Sequence, residues 1–372
     1  MKGMNNVVPI RSVLIFGGAG FIGSNWAHRL LKTTDAKVHI FDNLSRRGVH
    51  HNLKWLKKAA SGSARLHVTI ADVRDAAAVE KAVQRATEIY HFAAQVAVTT
   101  SVSDPRFDLE VNICGTFNIL EAARKTARRP FLLFTSTNKV YGSLDDRPVV
   151  RASTRYSCRE EDCVSESQPL DFHSPYGCSK GAADQYVHDC ARIYDLPTVV
   201  FRMSCIAGPR QFGNEDQGWV AHFLYSALRH EPITIYGDGR QVRDVLAVED
   251  LMRAFEAVRD RLGRTAGEVY NVGGGLKNTV SLLELIAEIR RFTGHRLEYD
   301  TEPVRPGDQA LYVTNFEKLT RHTGWQPQRS LEQILEVMYE WWKENRELFR
   351  PTEVPAARFA VPDLRHAPGV MS

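Results

Sequence analysis

The chain has 372 residues, of which 43% are hydrophobic, 25% charged and 9% aromatic, and this composition excludes disordered, collagen-like and disulfide-stapled proteins. Its 48 Lys and Arg against 44 Asp and Glu give a formal net charge of +4, which over this length is too small to indicate a nucleic-acid partner or an acidic membrane surface. The length predicts two domains, or one large sheet with an appended lobe.

Short apolar runs alternate with amphipathic segments through the first 203 residues. The runs that read as buried strands are 13–16, 38–41, 66–70, 89–92, 131–134 and 198–201. Between them the apolar spacing predicts a helix near 22–31, a longer one over 107–125 and another starting near Tyr176. This alternation predicts an α/β fold of the Rossmann type, a doubly wound parallel sheet covered on both faces.

The pattern changes after about residue 204, where loops become longer. A strand is predicted at 233–236 and a helix near Ser281, so we assign residues 204–350 mainly to a smaller C-terminal lobe and residues 1–203 mainly to the sheet domain. Residues 151–171 are polar and without a clear period, which is typical of an insertion. Residues 351–372 contain four prolines and are predicted to be a tail outside the core.

Neither a metal site, a disulfide framework nor a membrane segment is predicted. The six cysteines include no CxxC pair, and Cys158 and Cys163 lack histidines at ligand spacing. No apolar run approaches the ~20 residues of a membrane span, and residues 1–12 lack the apolar centre of a signal peptide. We therefore expect a cytoplasmic protein without a membrane partner.

A glycine-rich turn follows the first predicted strand and opens the first predicted helix. Gly17, Gly20 and Gly23 occupy it, and glycine suits such a turn because the backbone must bend sharply and approach a pyrophosphate closely. The free N–H groups of the helix N-terminus then face the anion. Glycine spacing alone is a weak signal, but its position between a strand and a helix predicts a dinucleotide site.

Asp42 ends the second strand about 20 residues after the turn, where an acid binds the hydroxyls of an adenosine ribose. A carboxylate there repels a 2′-phosphate and favours NAD over NADP, although Arg46 and Arg47 nearby weaken the preference. Asp72 suits the adenine edge, and a helix N-cap is an equally good interpretation of it. The further residues predicted to contact the cofactor are Phe21, Ile22, Asn43, Val73, Ala93, Ala94 and Gln95.

Tyr176 and Lys180 stand four residues apart at the start of a predicted helix and so project from one face. An adjacent ammonium favours the phenolate of a tyrosine, so Tyr176 becomes a candidate general base and Lys180 a candidate to hold the nicotinamide ribose. Thr137, at the end of the fifth strand, faces the same crevice and is predicted to bind the reacting hydroxyl. Turn capping is the plainer alternative for this threonine.

These residues together resemble the extended short-chain dehydrogenase/reductase superfamily, whose members bind NAD and modify nucleotide-activated sugars. The runs 136–142, 171–186 and 210–212 with 216–220 are similar to the branch that epimerises CDP-hexoses at C2. The resemblance covers about residues 12–345 and implies a homodimer formed through helices 107–125 and 176–194.

The resemblance also gives an argument against dehydration. The 4,6-dehydratases of the superfamily carry an Asp-Glu pair directly after the catalytic threonine, because elimination of water needs an acid and a base. Asn138 and Lys139 stand at those positions here. We therefore expect reversible hydride transfer without elimination.

The substrate is expected to be a nucleotide sugar gripped by arginines. Arg243 and Arg305 match positions where related epimerases bind the pyrophosphate, and Arg210 is a third candidate; a guanidinium can engage phosphate oxygens with two hydrogen bonds. The predicted reaction passes through a 2-keto sugar that turns over and regains its hydride on the opposite face. Epimerisation at C4, or at C2 of another nucleotide sugar, and a catalytically idle NAD-binding regulator remain as alternatives.

Overall fold

The computed structural model describes residues 11–157, 163–305 and 307–349. Cys158 and the predicted tail 351–372 lie outside these residues. Within them, no helix has the length and apolar character that crossing a membrane requires, and no group of three or more His, Cys, Asp or Glu side chains is placed to hold a metal ion.

The strands, numbered in chain order, are β1 (Ser12–Phe16), β2 (Lys37–Asp42), β3 (Leu66–Ile70), β4 (Glu88–His91), β5 (Phe131–Thr137), β6 (Val150–Arg151), β7 (Tyr156–Ser157), β8 (Thr198–Met203), β9 (Cys205–Ala207), β10 (Ile233–Tyr236), β11 (Val242–Ala247), β12 (Glu268–Val272), β13 (Thr279–Ser281), β14 (Tyr299–Glu302) and β15 (Leu311–Tyr312).

The α-helices are α1 (Phe21–Thr33), α2 (Val49–Ala59), α3 (Ala76–Val83), α4 (Val98–Ser103), α5 (Pro105–Leu109), α6 (Gly115–Lys125), α7 (Ser174–Tyr194), α8 (Trp219–Arg229), α9 (Val248–Arg259), α10 (Leu262–Thr265), α11 (Leu282–Thr293), α12 (Glu317–Thr323) and α13 (Leu331–Glu344).

The large sheet has seven parallel strands in the order β12-β8-β5-β4-β1-β2-β3. Successive residues of each strand point to opposite faces, so Val13 and Ile15 enter one apolar core while Leu14 and Phe16 enter the other. Helices α1 and α9 cover the first face, and α3, α6 and α7 cover the second. The predicted doubly wound α/β fold is confirmed.

The smaller lobe is built on two short sheets. Strands β9, β11, β13 and β15 form one, and β10 pairs with β14 in the other. Helices α8, α11 and α13 pack over a third core that contains Phe223, Leu285 and Trp341. Strand β12 lies in the range assigned mainly to this lobe, yet it joins the large sheet.

The segment predicted as one helix over 107–125 has a π-helical turn, Glu110–Cys114, between α5 and α6. Such a turn inserts an extra residue and changes the direction in which side chains point, and it is frequent at functional sites. Asp108 and Asn112 lie before and within this turn, and both are buried. The turn therefore places two polar side chains inside the protein.

Candidate active site

A cleft of about 610 Å³ lies at the carboxyl ends of the parallel strands, on the side of the sheet where ligands of doubly wound folds bind. The cleft is centred on β1 and β4, where the strand order reverses. The predicted residues that line it are Gly17, Gly20, Phe21, Ile22, Gly23, Asp42, Asn43, Asp72, Val73, Ala93, Ala94, Gln95, Thr137, Tyr176, Lys180 and Arg210. The structure thus brings the predicted cofactor-binding residues and the predicted catalytic residues into one cleft.

The glycine turn between β1 and α1 has no room for side chains. Gly17 has a φ of +74°, and a Cβ on it would lie 2.7 Å from the backbone nitrogen of Ala93. A Cβ on Gly23 would lie 2.3 Å from the carbonyl oxygen of Gly17. Gly20 caps α1 without a side-chain hydrogen bond, and the first turn of α1 contains no acid. The positive end of α1 is therefore free to meet a phosphate.

Asp42 is held in place by backbone amides on both of its carboxylate oxygens. Oδ2 accepts from the N–H of Ala19 at 2.9 Å, and Oδ1 accepts from the N–H of Leu44 at 2.8 Å. Burial raises the pKa of Asp42, and these amide hydrogen bonds oppose the rise. A fixed acid beside a free helix N-terminus fits the ribose and pyrophosphate of NAD.

Thr137, Tyr176 and Lys180 meet where β5 ends beside the start of α7. Thr137 and Tyr176 both line the cleft, and burial raises the pKa of Tyr176 to about 12, although the Thr137 hydroxyl opposes the rise. The Lys180 ammonium donates to the carbonyl of Thr135 at 2.8 Å and lies 4.0 Å from the Phe134 ring centroid. Burial lowers the pKa of Lys180 to about 7.

The sequence argument expected Lys180 to lower the pKa of Tyr176, and the structure differs on this point. The main cause acting on both groups is burial, which disfavours the charged form of each. Burial of the site therefore keeps the Tyr176 proton in place, and a further positive charge at the cleft is needed to favour the phenolate.

The three predicted diphosphate arginines are not brought together. Arg210 lines the cleft, but its guanidinium lies 3.6 Å over the ring centroid of Trp55. Arg243 is paired with Asp308 at 2.8 Å, and Arg305 with Asp216 at 3.4 Å. Within the described residues, neither Arg243 nor Arg305 forms part of the cleft lining. Their role in binding substrate stays a prediction.

Sequence reasoning missed a buried polar cluster behind the cleft. The Gln95 side chain donates to Asp108 at 2.8 Å, and the Asn112 side chain donates to Asp108 at 3.1 Å and to Ser179 at 3.0 Å. The other oxygen of Asp108, Oδ2, is buried without a hydrogen-bond partner. The sequence carried one signal for this cluster, because Asp108 is an acid on the buried side of an amphipathic helix. The hydrogen bonds of the cluster hold the Gln95 side chain and join it to α7.

A second missed group comes from the loop before α8. The Thr99 hydroxyl donates to Asp216 at 2.7 Å, Arg46 donates to the Gln217 side chain, and both Asp216 and Gln217 line the cleft. The loop thus reaches across from the smaller lobe to the large sheet. No local sequence pattern signals contacts between segments so far apart in the chain.

Comparison with known proteins agrees with this architecture. The sequence matches the family described as GDP-mannose 4,6 dehydratase over residues 14–338. It is 40% identical over 337 residues to CDP-paratose 2-epimerase of Salmonella typhi, covering 88% of this chain and 98% of that protein.

Solved structures resemble the whole described chain. The dTDP-glucose 4,6-dehydratase of Streptomyces venezuelae with NAD and TYD bound has a TM-score of 0.78 at 28% identity, over 91% of this chain and 99% of that one. UDP-glucuronic acid 4-epimerase of Bacillus cereus, in complex with UDP-glucuronic acid and NAD, has a TM-score of 0.76 at 27% identity, over 90% of this chain and 99% of that one. The chain therefore belongs to the extended short-chain dehydrogenase/reductase family of NAD-dependent nucleotide-sugar epimerases and dehydratases.

Proposed function

We propose that this protein is an NAD-dependent epimerase that inverts C2 of a CDP-hexose, converting CDP-paratose into CDP-tyvelose or carrying out a reaction of that type. The observation that carries the proposal is that Thr137 and Tyr176 line the same cleft, while Asn138 and Lys139, instead of two carboxylates, follow the threonine. The 40% identity to CDP-paratose 2-epimerase supports cytosine as the base of the nucleotide and C2 as the carbon that is inverted.

NAD, when bound, supplies the acceptor and donor of a hydride. Gly17, Gly20 and the N-terminus of α1 would hold its pyrophosphate, and Asp42 would hold its adenosine ribose. Lys180, fixed by the carbonyl of Thr135, would hold the nicotinamide ribose. The buried position of these groups keeps water away from the reacting carbon.

Tyr176 would take the proton of the C2 hydroxyl, and Thr137 would orient that hydroxyl toward it. The resulting 2-keto sugar must turn its other face to the cofactor, and Tyr176 then returns the proton to the same oxygen. A Tyr176 pKa of about 12 in the buried site makes the Tyr176 phenolate a strong base for the proton of the C2 hydroxyl, and it makes the protonated tyrosine a weak acid. The positive charge that an oxidised nicotinamide would bring to the cleft would favour the phenolate form of Tyr176.

Dehydration is not part of the proposed reaction, because the two positions after Thr137 have other partners. The Asn138 side chain donates to Gln309 at 3.3 Å, and the Lys139 ammonium donates to Asp308 at 3.0 Å. Neither side chain is a carboxylic acid, so the site lacks the acid and base pair that elimination needs.

The test is to incubate the purified protein with CDP-paratose and to follow CDP-tyvelose by NMR. Conversion is expected without added NAD if the cofactor copurifies, and a panel of CDP-, UDP-, GDP- and dTDP-sugars defines the base. Formation of the 4-epimer from UDP-glucose, with no change in CDP-paratose, would overturn the C2 assignment.

The matched variants are Tyr176→Phe and Tyr194→Phe. Both remove a single hydroxyl from α7, but Tyr176 lies in the cleft and Tyr194 is exposed at the end of the helix. We expect Tyr176→Phe to lower kcat by about 10²- to 10⁴-fold, the usual contribution of a general base, and Tyr194→Phe to keep full activity. Unchanged turnover in Tyr176→Phe would remove Tyr176 as the general base, and a wild type that binds NAD but converts no nucleotide sugar would favour a catalytically idle NAD-binding regulator.

The homodimer also belongs to this proposal. Apolar side chains are exposed on the face made by α5, α6 and α7, among them Leu109, Phe117, Tyr186 and Ile193. The rings of Phe117 and Tyr186 meet edge to face across two of these helices. An exposed apolar patch of this kind is typical of a subunit interface.

A further inference from the structure

Lys139 stands outside the cleft lining although it follows the catalytic threonine by two residues. Its side chain is 19% exposed. The ammonium donates to Asp308 Oδ1 at 3.0 Å and to the carbonyl of Gly307 at 3.2 Å. Lys139 is thus paired with residues of the smaller lobe and is not among the residues that line the cleft.

Asp308 shares the same oxygen with a second cation. Arg243 Nη2 lies 2.8 Å from Asp308 Oδ1, and the backbone N–H of Gln309 donates to this oxygen at 3.1 Å. The side chain of Arg243 is 9% exposed. Two cations and one anion leave a net positive charge in this group.

The same segment is joined to the turn after β5 by an amide pair. Gln309 is fully buried; its side-chain nitrogen donates to the carbonyl of Gly142 at 2.7 Å, and its side-chain oxygen accepts from Asn138 at 3.3 Å. The N–H of Lys139 in turn donates to the Thr137 hydroxyl at 3.2 Å. Residues 307–309 and the catalytic threonine are therefore parts of one hydrogen-bonded group.

We propose that Lys139 is a positioning residue: by pairing with Asp308 it holds residues 307–309 against the turn after β5, and it leaves the group of Lys139, Asp308 and Arg243 with the net positive charge through which Arg243 would bind the substrate diphosphate. This proposal rests on the proposed function in that it takes a nucleotide sugar as substrate. Without the lysine, Arg243 is the sole side-chain cation on Asp308, and the two form a neutral pair that competes with the diphosphate for the guanidinium.

The experiment compares Lys139→Met, Asp308→Asn and the double variant. CDP alone is titrated by calorimetry, and KM and kcat are measured with CDP-paratose. Lys139→Met is expected to weaken CDP binding and raise KM by about tenfold, the loss of roughly one charge-assisted hydrogen bond to phosphate, while kcat changes less than threefold. Lys139→Met with Asp308→Asn is expected to return both values to within threefold of the wild type, because the group then carries the same net positive charge as in the wild type.

The matched control is Lys318→Met. The Lys318 ammonium also binds one carboxylate, Glu268 at 2.8 Å, and one carbonyl, that of Val269 at 2.9 Å, with a side-chain exposure of 25%. It lies on α12 and does not line the cleft. We expect Lys318→Met to bind CDP with wild-type affinity. That result would show that losing a half-buried ion pair does not by itself weaken CDP binding, so the effect of Lys139→Met would come from Arg243.

Three results with the variants would overturn the proposal. They are wild-type CDP affinity in Lys139→Met, a fall in kcat at unchanged KM, which would make Lys139 a catalytic residue, and a double variant no better than the single one. Should Lys139→Met fail to fold, Lys139→Gln is measured in its place with the same expectations. A wild type that binds none of CDP, UDP, GDP and dTDP also refutes it. A wild type that binds CDP but epimerises no sugar refutes the proposed function alone.

Discussion

Gly23→Ala tests whether the glycine turn is set by backbone contact. The new Cβ would lie 2.3 Å from the carbonyl oxygen of Gly17 and 2.7 Å from the Cα of Gly18. Both are backbone atoms, so the turn itself must shift by about 1 Å to restore an ordinary contact. Overpacking of this kind costs up to about 3 kcal/mol, and the better helix propensity of alanine returns about 1 kcal/mol, leaving a net loss near ~2 kcal/mol.

The assay is calorimetric melting of NAD-free protein followed by titration with NAD. An unfolding entropy of about 2.1 cal/mol/K per residue over this chain converts the loss into a fall in Tm of roughly 3 °C. The displaced turn should also weaken NAD binding by at least about tenfold, because backbone donors to phosphate lose their alignment.

Gly20→Ala is the control within the same turn. A Cβ there meets only the Gly17 oxygen, at 3.2 Å, and the backbone of Gly20 is extended, with a φ of −67°. This variant should lose less than about 1 kcal/mol of stability while still placing a methyl group at the phosphate position. A Gly23→Ala protein that melts within 1 °C of the wild type would refute the steric reasoning.

Three further predictions concern stability and assembly. Arg202→Met leaves the fully buried Asp184 without its partner at 2.8 Å and should cost about 3–5 kcal/mol in urea unfolding; a cost below about 1 kcal/mol would contradict this. Burial lowers the pKa of His39 to about 4, so the unfolded chain gains a proton at this residue first as pH falls below about 6.5, and His39 alone should lower wild-type stability by about 2 kcal/mol between pH 7.5 and 5. His39→Val should lose that share of the pH dependence, and an unchanged slope would contradict it. Phe117→Glu, at a ring that is 45% exposed, should convert the expected dimer to a monomer in light scattering, and a wild type that is itself monomeric would remove the proposed interface.

Much of the large sheet could be predicted because its signals are local. Buried parallel strands read as continuous apolar runs, and β5 is buried at each of its positions. Strand β12 was missed because Glu268 and Asn271 interrupt its apolar residues. Asn271 is nevertheless buried, with its side chain bonded to Tyr141 and to the carbonyl of Val164. A pattern of five residues does not reveal which sheet a strand joins.

The cofactor half of the site was predictable for the same reason, since a glycine turn and the acid at the end of the next strand are close in sequence. The substrate half was not. The ion pair of Lys139 and Asp308 joins positions 169 residues apart, and the π-helical turn that buries Asp108 has no local signature. Contacts of this kind depend on how two lobes meet, which apolar periodicity does not encode.

Strand β12 also affects how the protein can be made and divided. Its partner β8 ends at Met203, and β12 begins at Glu268. A ribosome that adds about 5–20 residues per second therefore needs roughly 3–13 s after β8 to synthesise the chain up to β12. Until then β8 presents an open, apolar edge that can pair with other chains. A fragment ending at residue 203 would keep that edge permanently, and we expect it to aggregate. We therefore expect that residues 1–203 do not fold independently and that neither half is a sound starting point for building a chimeric enzyme.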